Sequence, residues 1–321
     1  MSNFGSGTLS PPPAAGVRVH WEALPASVRE AIEERLEGKV VDAITQPGGF
    51  SPGLAARLRL DDGRRVFVKA VSETANPDSP AMHRREAQIV AALPASAPVP
   101  RLQWTYDEAG WVALAFEDVD GRHPGAPWTE ADLALVVSAL KKMAVDLTPS
   151  PVVTEATASG AFERGINGWR VALERGEPRL DVWCLNHLAR LAQLESLAPA
   201  AAMGETLLHF DTRADNLLIA GDRVFVLDWP SARVGAAFVD WLCMAPSVAM
   251  QGGPTPDDFM SRFDLSGVPQ EDFDAILCSV AGYFVVHALH PAPPGLPTVR
   301  AFQAAQGKVA LAWLRERTGW R

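Results

Sequence analysis

The sequence predicts an α+β protein of two lobes: a smaller N-terminal lobe of antiparallel sheet plus helix, and a larger, mostly helical C-terminal lobe. Between residues 40 and 116, short strand-like runs are separated by turns rich in Gly, Pro and Asp. From residue 129 onward, apolar residues recur at helical spacing over long segments. A chain of 321 residues is also long enough for two domains or lobes with substantial cores.

The composition, with 48% hydrophobic and 21% charged residues, is typical of a soluble globular protein. The net charge of −9 argues against nucleic-acid binding, because nucleic-acid-binding proteins usually carry a basic face. The start of the chain lacks the pattern of a signal peptide, and no apolar run reaches membrane-spanning length. We therefore expect a cytoplasmic protein with no nucleic-acid or membrane partner and no evident protein partner. The cysteines lie far apart among apolar residues and are expected to be buried free thiols: Cys184, Cys243 and Cys278.

Three segments are expected along the chain. Residues 1–16, rich in Ser, Gly and Pro, are predicted to form a flexible tail. Residues 17–118 are predicted to form the N-terminal lobe, and residues 119–321 the C-terminal lobe. The N-terminal lobe should open with a short helix after residue 24, because apolar residues there share one helical face.

A glycine-rich turn is predicted between the strands 40–45 and 54–60. Glycines let a backbone approach an anion closely, and the N–H groups of such a turn can then point at phosphate. Gly48, Gly49 and Ser51 are therefore candidate nucleotide-binding residues. The motif is weak, and a plain hairpin turn is the alternative that the sequence leaves open.

Lys69 ends the alternating strand predicted over residues 65–69, and Glu86 lies on the apolar side of the helix predicted to start at Ser79. An unpaired buried carboxylate is very costly, so Glu86 requires a cation. Lys69 would meet that need. On the same helix we expect an apolar stripe formed by Met82, Ile89, Val90 and Leu93. The solvated face is expected to carry His83, Arg84 and Arg85.

The hinge between the lobes is placed in the polar, Gly- and Pro-rich segment 117–125. The preceding run, residues 111–116, is almost continuously apolar and predicts a strand buried on both faces. The backbone from Phe116 to Asp118 could present the N–H and C=O groups that an adenine edge requires. Beyond the hinge, five long helices are predicted over residues 129–147, 181–197, 237–250, 273–289 and 301–317.

Three side chains that can accept hydrogen bonds or bind a metal lie at the ends of two predicted paired strands, which a Gly-Asp turn connects. Asp211 and Asn216 precede the strand 217–219, and Asp228 follows the strand 224–227. Phosphoryl transfer needs a carboxylate to orient an attacking hydroxyl, and an amide oxygen with a second carboxylate to hold Mg²⁺. The alternative is a hairpin whose Asp and Asn residues merely form turns.

The whole order of features resembles the aminoglycoside phosphotransferase family of the protein-kinase-like superfamily, over roughly residues 40–290. The most specific part is the pattern His209-x-Asp211-x4-Asn216, followed by an apolar strand that ends in Asp228-Trp229. A glycine and an aspartate then precede an apolar helix, at Gly235 and Asp240. The resemblance implies a protein-kinase-like bilobal fold.

The resemblance also implies a role for each of these residues. Asp211 would be the catalytic base, and Asn216 and Asp228 would be the magnesium ligands. Lys69 would hold the nucleotide phosphates, and Glu86 would hold Lys69. His209 and Asp240 would be structural. Arg213 would either contact the transferring phosphate or pair with Asp215. The glycine-rich turn, residues 46–53, departs from the Gly-x-Gly-x-x-Gly pattern of kinases.

The function implied is an ATP- or GTP-dependent, Mg²⁺-dependent O-phosphotransferase that acts on a hydroxyl of a small molecule, such as an aminoglycoside-like antibiotic, a sugar, an amino alcohol or a related metabolite. Acidic residues between Asp257 and Asp274 would suit a cationic acceptor, although a solvated surface is the other interpretation. A nucleotide-binding pseudokinase that acts as an interaction module is the alternative function. A metal-dependent phosphoesterase is a weaker one, because no second histidine lies near the hairpin.

Overall fold

The computed structural model describes residues 12–50, 52–74, 76–293 and 295–321. Ser51 and residues 1–11 of the expected tail lie outside the described residues. The strands are β1 Val40–Thr45, β2 Leu54–Leu60, β3 Arg65–Ser72, β4 Leu102–Glu108, β5 Trp111–Glu117, β6 Thr206–Leu208, β7 Leu217–Ala220, β8 Arg223–Val226 and β9 Arg233–Gly235. The helices are α1 Ala26–Leu36, α2 Ser79–Ala92, α3 Glu130–Asp146, α4 Ala158–Arg164, α5 Gly168–Arg175, α6 Val182–Glu195, α7 Ala198–Ala201, α8 Phe238–Met250, α9 Pro256–Met260, α10 Gln270–Ala288 and α11 Val299–Thr318.

The N-terminal lobe is a five-stranded antiparallel sheet in the order β1-β2-β3-β5-β4. Helix α1 covers one face, where Val28, Ile32 and Leu36 join the core formed with β2 and β3. Helix α2 covers the other face. Strand β5 lies between the two cores, because its successive residues Ala113 and Leu114 point to opposite faces and belong to different cores. The prediction of a strand buried on both faces is therefore confirmed.

Helix α2 is rotated relative to the predicted apolar stripe. His83 is only 5% exposed, whereas Met82 is 42% exposed, so both predictions were wrong. The inward face runs through His83, Glu86 and Ile89, which follow one another at intervals of three residues. His83 is tolerated inside because its Nδ1 lies 3.1 Å from the carbonyl oxygen of Ser79, which satisfies one ring nitrogen.

The C-terminal lobe is mostly helical, and α10 packs against α5, α6, α7, α8 and α11. All five long helices predicted for this lobe are present, with ends that shift by a few residues. The α+β, two-lobe prediction is confirmed. The described cysteines are free thiols; Cys184 and Cys278 are buried as predicted, while Cys243 is half-buried. In the described part of the chain, no helix is long and apolar enough to cross a membrane.

The chain before α1 connects the glycine-rich turn to the C-terminal lobe. Gly49 N–H donates to the carbonyl oxygen of Ala14 at 2.9 Å, and Ala15 N–H donates to Thr298 Oγ1 at 3.3 Å. Val17 N–H donates to the carbonyl oxygen of Gly295 at 3.2 Å. Ala14, Ala15 and Val17 together therefore connect the glycine-rich turn to the C-terminal lobe.

Candidate active site

The loop that carries Asp211 is fixed by a buried carboxylate. Asp240, at the start of α8, accepts hydrogen bonds from the backbone N–H groups of His209 and Phe210, both at 2.7 Å. His209 Nε2 lies 2.8 Å from the carbonyl oxygen of Leu227, which ties the loop to the end of β8. Phe210 and Asp228 both have positive φ, 67° and 66°. Such backbone strain persists only where surrounding contacts hold it, and it is common at functional sites.

The three predicted acceptor side chains converge beside this loop. Asn216 Nδ2 donates to the carbonyl oxygen of Asp211 at 2.8 Å and lies 3.4 Å from Asp211 Oδ2. Arg213 Nη1 donates to Asp211 Oδ1 at 2.7 Å, and the same guanidinium holds both oxygens of Asp215 at 3.0 Å. Arg213 therefore pairs with Asp215 and Asp211 together. Burial raises the pKa of Asp211 to about 6, although the charge of Arg213 opposes that shift.

Lys69 links the two lobes at the site. Its Nζ donates to both oxygens of Glu86, at 2.7 and 3.0 Å, as the sequence predicted. The same Nζ lies 2.9 Å from Asp228 Oδ1. Burial raises the pKa of Asp228, but Lys69 more than offsets that effect, and the pKa is held at about 2. Asp228 is therefore an ionised carboxylate at neutral pH.

A cavity of about 510 Å³ lies between the lobes, a size typical of small-molecule sites. With Ser51 outside the described residues, the other predicted nucleotide-binding and metal-binding residues all line it: Gly48, Gly49, Lys69, Glu86, Phe116, Asp118, Asn216 and Asp228. Gly49 has φ of 85°, a conformation that glycine adopts without strain. The Asp118 carboxylate is occupied by Arg57 and Arg65, at 3.0 and 2.6 Å. Only its backbone is therefore left for the predicted contact to an adenine edge.

Two residues of this cavity were not among the predicted site residues. Arg18 follows the expected tail, lines the cavity and donates to the carbonyl oxygen of Gly48 in the glycine-rich turn. His83 lines the cavity from α2, where burial lowers its pKa to about 4, so the ring is neutral at pH 7. The sequence could have located His83 if the apolar face of α2 had been started at residue 83 instead of residue 82. No sequence signal located Arg18.

A second cavity, of about 570 Å³, lies beside the loop that carries Asp211. Asp211 and Arg213 line it, and Phe50 of the glycine-rich turn closes one wall by packing edge-on against Phe302 at 5.5 Å. None of the acidic residues between 257 and 274 is among its described lining residues. Asp257 accepts instead from Trp313 Nε1 at 2.8 Å, and Asp274 pairs with Arg317 at 2.7 Å. Asp257 and Asp274 therefore contact α11 and not the second cavity.

The donor set suits a magnesium ion shared with a nucleotide. Since Asn216 Nδ2 donates to Asp211, the amide oxygen of Asn216 is left as an acceptor. Asn216 and Asp228 both line the first cavity. Mg²⁺ is commonly bound by one or two protein oxygens together with substrate phosphates. The residues present therefore fit the metal.

These features define a kinase-like enzyme, in which a strand lysine pairs with a helix glutamate in the first cavity and Asp211 lines the second. The profile of the phosphotransferase enzyme family matches residues 48–273. The chain belongs to this family, which confirms the resemblance drawn from the sequence.

Solved structures support the fold. One is a thermostable mutant of aminoglycoside phosphotransferase APH(4)-Ia in a ternary complex with AMP-PNP and hygromycin B. The match has 15% identity and a TM-score of 0.61 and covers 92% of this chain and 100% of that one. Choline kinase LicA from Streptococcus pneumoniae matches at 14% identity and a TM-score of 0.61, and the match covers 89% of this chain and 98% of that one. A choline/ethanolamine kinase family protein from Mesorhizobium loti matches at 15% identity and a TM-score of 0.61, and the match covers 90% of this chain and 94% of that one. No curated protein matches the sequence significantly.

Proposed function

We propose that the protein transfers the γ-phosphate of ATP or GTP, in a Mg²⁺-dependent reaction, to a hydroxyl of a small molecule. The position of Asp211 carries this proposal. It lines the second cavity, while Asn216, hydrogen-bonded to it, lines the first. A nucleotide in the first cavity and an acceptor in the second would therefore meet at Asp211.

In the proposed reaction, Asp211 orients the acceptor hydroxyl and takes its proton. The hydroxyl oxygen forms a bond to the γ-phosphorus, and the bond from that phosphorus to the leaving nucleoside diphosphate breaks. The products are a phosphate ester and ADP or GDP. With a pKa of about 6, Asp211 is ionised at neutral pH yet more basic than an ordinary aspartate.

The other residues place and neutralise the phosphates. Lys69 is fixed by Glu86, so that its ammonium group points into the first cavity. Asn216 and Asp228 would hold Mg²⁺, which neutralises charge on the nucleotide phosphates when bound. The N–H groups near Gly48 and Gly49 would approach the phosphates from the N-terminal lobe. Relatives of similar fold support nucleotide use, since they were solved with AMP-PNP, ADP or AMP.

The alternatives have less support. A pseudokinase would bind nucleotide without turnover, but every residue that the proposed chemistry needs is present. A metal-dependent phosphoesterase would need a richer ligand set. Within the described residues, no group of three or more His, Cys, Asp or Glu side chains could hold a metal.

An acceptor screen tests the proposal. ADP and GDP release is measured with Mg²⁺ and a panel of aminoglycosides, sugars, amino alcohols and hydroxy acids. We expect acceptor-dependent release that falls about 10²- to 10⁴-fold in Asp211→Asn, with Mg²⁺-nucleotide binding nearly intact. The control is Asp222→Asn in the β7–β8 turn, which should behave as wild type. Equal release by wild type and Asp211→Asn would refute the role of Asp211.

A further inference from the structure

The second cavity carries more positive than negative charge. Three of its described lining residues are arginines, Arg164, Arg213 and Arg233, whereas Asp211 is the one carboxylate among those lining residues. Arg213 is neutralised by Asp211 and Asp215. The other two arginines form no ion pair with a carboxylate of the described residues.

Arg233, on β9, makes no ion pair with any described residue. Its Nε is buried without a hydrogen bond to any residue that the structure describes, and its guanidinium lies 5.1 Å from the centre of the Phe210 ring. Burial lowers the pKa of Arg233, and the charges of Arg85 and Arg164 lower it further. A desolvated cation beside like charges costs free energy unless a ligand supplies the opposite charge.

Arg164 and Arg85 approach Arg233 from two other elements. Arg164, at the end of α4, is exposed and forms no ion pair within the described part of the chain. Arg85 of α2 donates to the carbonyl oxygen of Ala232 at 2.7 Å, and its Nε is buried with no hydrogen-bond partner in the described part of the chain. The three guanidiniums, which we call the arginine cluster, have no described carboxylate within ion-pair distance.

Two buried polar groups in the same cavity also lack partners. Thr212 is 2% exposed and Gln306 is 1% exposed, and both line the cavity. Neither Thr212 Oγ1 nor Gln306 Oε1 has a hydrogen-bond partner among the described residues. Buried polar groups are nearly always hydrogen-bonded, so these atoms indicate a polar ligand. The Thr212 hydroxyl can donate to an anionic oxygen, and Gln306 Oε1 can accept from a hydroxyl.

We propose that the acceptor carries an anionic group, a carboxylate or a phosphate, which Arg233 and Arg164 bind in the second cavity. This inference rests on the proposed function, because Asp211 assigns that cavity to the acceptor. Aromatic side chains on the cavity wall would cover the body of the molecule: Phe210, Tyr283, Phe284 and Phe302. A polycationic acceptor would instead meet charge of its own sign at the arginine cluster.

Anion binding can be measured before the acceptor is known. The protein is first saturated with Mg²⁺·AMP-PNP, so that added anions cannot occupy the nucleotide cavity. A rise in melting temperature at this step tests the proposed function separately, since a ligand of the native state stabilises it. Orthophosphate and malonate are then added in turn, at ionic strength held constant with chloride. We expect a further saturable rise; orthophosphate reports a phosphate subsite and malonate a carboxylate subsite.

Two variants test the arginine cluster. Arg233→Gln and Arg164→Gln should each weaken the apparent affinity for the anion about 10- to 100-fold, with the Mg²⁺·AMP-PNP shift retained. Without anion, Arg233→Gln should melt no lower than wild type, because it removes a desolvated charge that faces like charges. Arg175→Gln is the matched control, because Arg175 is an exposed arginine at the end of α5 and lies outside the cavity lining.

The outcomes separate the two proposals. If Mg²⁺·AMP-PNP raises the melting temperature but neither anion adds to it, the acceptor is not anionic and the proposed function stands. If the anion shift is unchanged in both Arg233→Gln and Arg164→Gln, these arginines do not bind the anion, and the inference fails while the proposed function stands. If Mg²⁺·AMP-PNP gives no shift, the proposed function fails and the inference fails with it.

Discussion

The first cavity, which Asn216 lines, and the second cavity, which Asp211 lines, differ in how their charges are balanced. In the first, Lys69 is held by Glu86 and Asp228, and Asp118 is held by Arg57 and Arg65. In the second, Arg233 and Arg164 lack any described carboxylate partner. The first cavity is thus organised by the protein's own ion pairs, and its ligand meets a preformed site. The second leaves positive charge for its ligand to balance, which makes its charge the clearer guide to substrate class.

The largest expected effect comes from unbalancing the first cavity. Lys69→Met would leave Glu86, which is buried, and Asp228 without their shared cation. We expect the free energy of unfolding in urea to fall by about 3 kcal/mol or more, because removing one partner leaves an uncompensated buried charge. The double variant Lys69→Met/Glu86→Gln should recover part of that loss. A double variant no more stable than Lys69→Met would contradict the pairing.

A smaller effect is expected where the loop between the cavities is anchored. Asp240→Ala removes the acceptor of two 2.7 Å hydrogen bonds from the backbone of His209 and Phe210. Leaving buried N–H groups unpaired costs about 1–3 kcal/mol. We expect faster amide exchange in the Asp211 loop and a lower kcat, with nucleotide affinity largely kept. Asp222→Ala, in an exposed turn, is the control, and unchanged exchange in Asp240→Ala would rule out the anchoring role.

The smallest effect concerns the wall shared by the glycine-rich turn and the second cavity. Phe50 contacts Phe302 edge-on, and the Arg213 guanidinium lies 5.5 Å from each ring. Such an aromatic pair is worth about 0.5–1.5 kcal/mol. Phe50→Ala and Phe302→Ala should therefore each raise the acceptor KM a few-fold. Additive effects in the double variant would show that the two rings do not act as a pair.

The sequence predicted the first cavity better than the second for a physical reason. Asp211, Asn216 and Asp228 flank the two strands of one hairpin, so local spacing sets their geometry. Glu86 could be recognised as a buried carboxylate that requires a cation. The arginine cluster depends instead on how α2, α4 and β9 pack, and no local pattern marks Arg164 or Arg233. The long helices were predictable from their stripes, whereas α4 and α5 are too short to show one. His83 was misplaced because Met82 was assigned to the buried face of α2, which instead runs through His83, Glu86 and Ile89.

The most direct test of this account is a thermal-shift titration of ATP and GTP, with and without Mg²⁺, on wild type, Asp228→Ala and Arg233→Gln. The account predicts a Mg²⁺-dependent rise in melting temperature in wild type and Arg233→Gln, and its loss in Asp228→Ala. That pattern would place the nucleotide in the first cavity and leave the arginine cluster to the acceptor. A rise that persists in Asp228→Ala, or one abolished by Arg233→Gln, would contradict the division of roles between the two cavities.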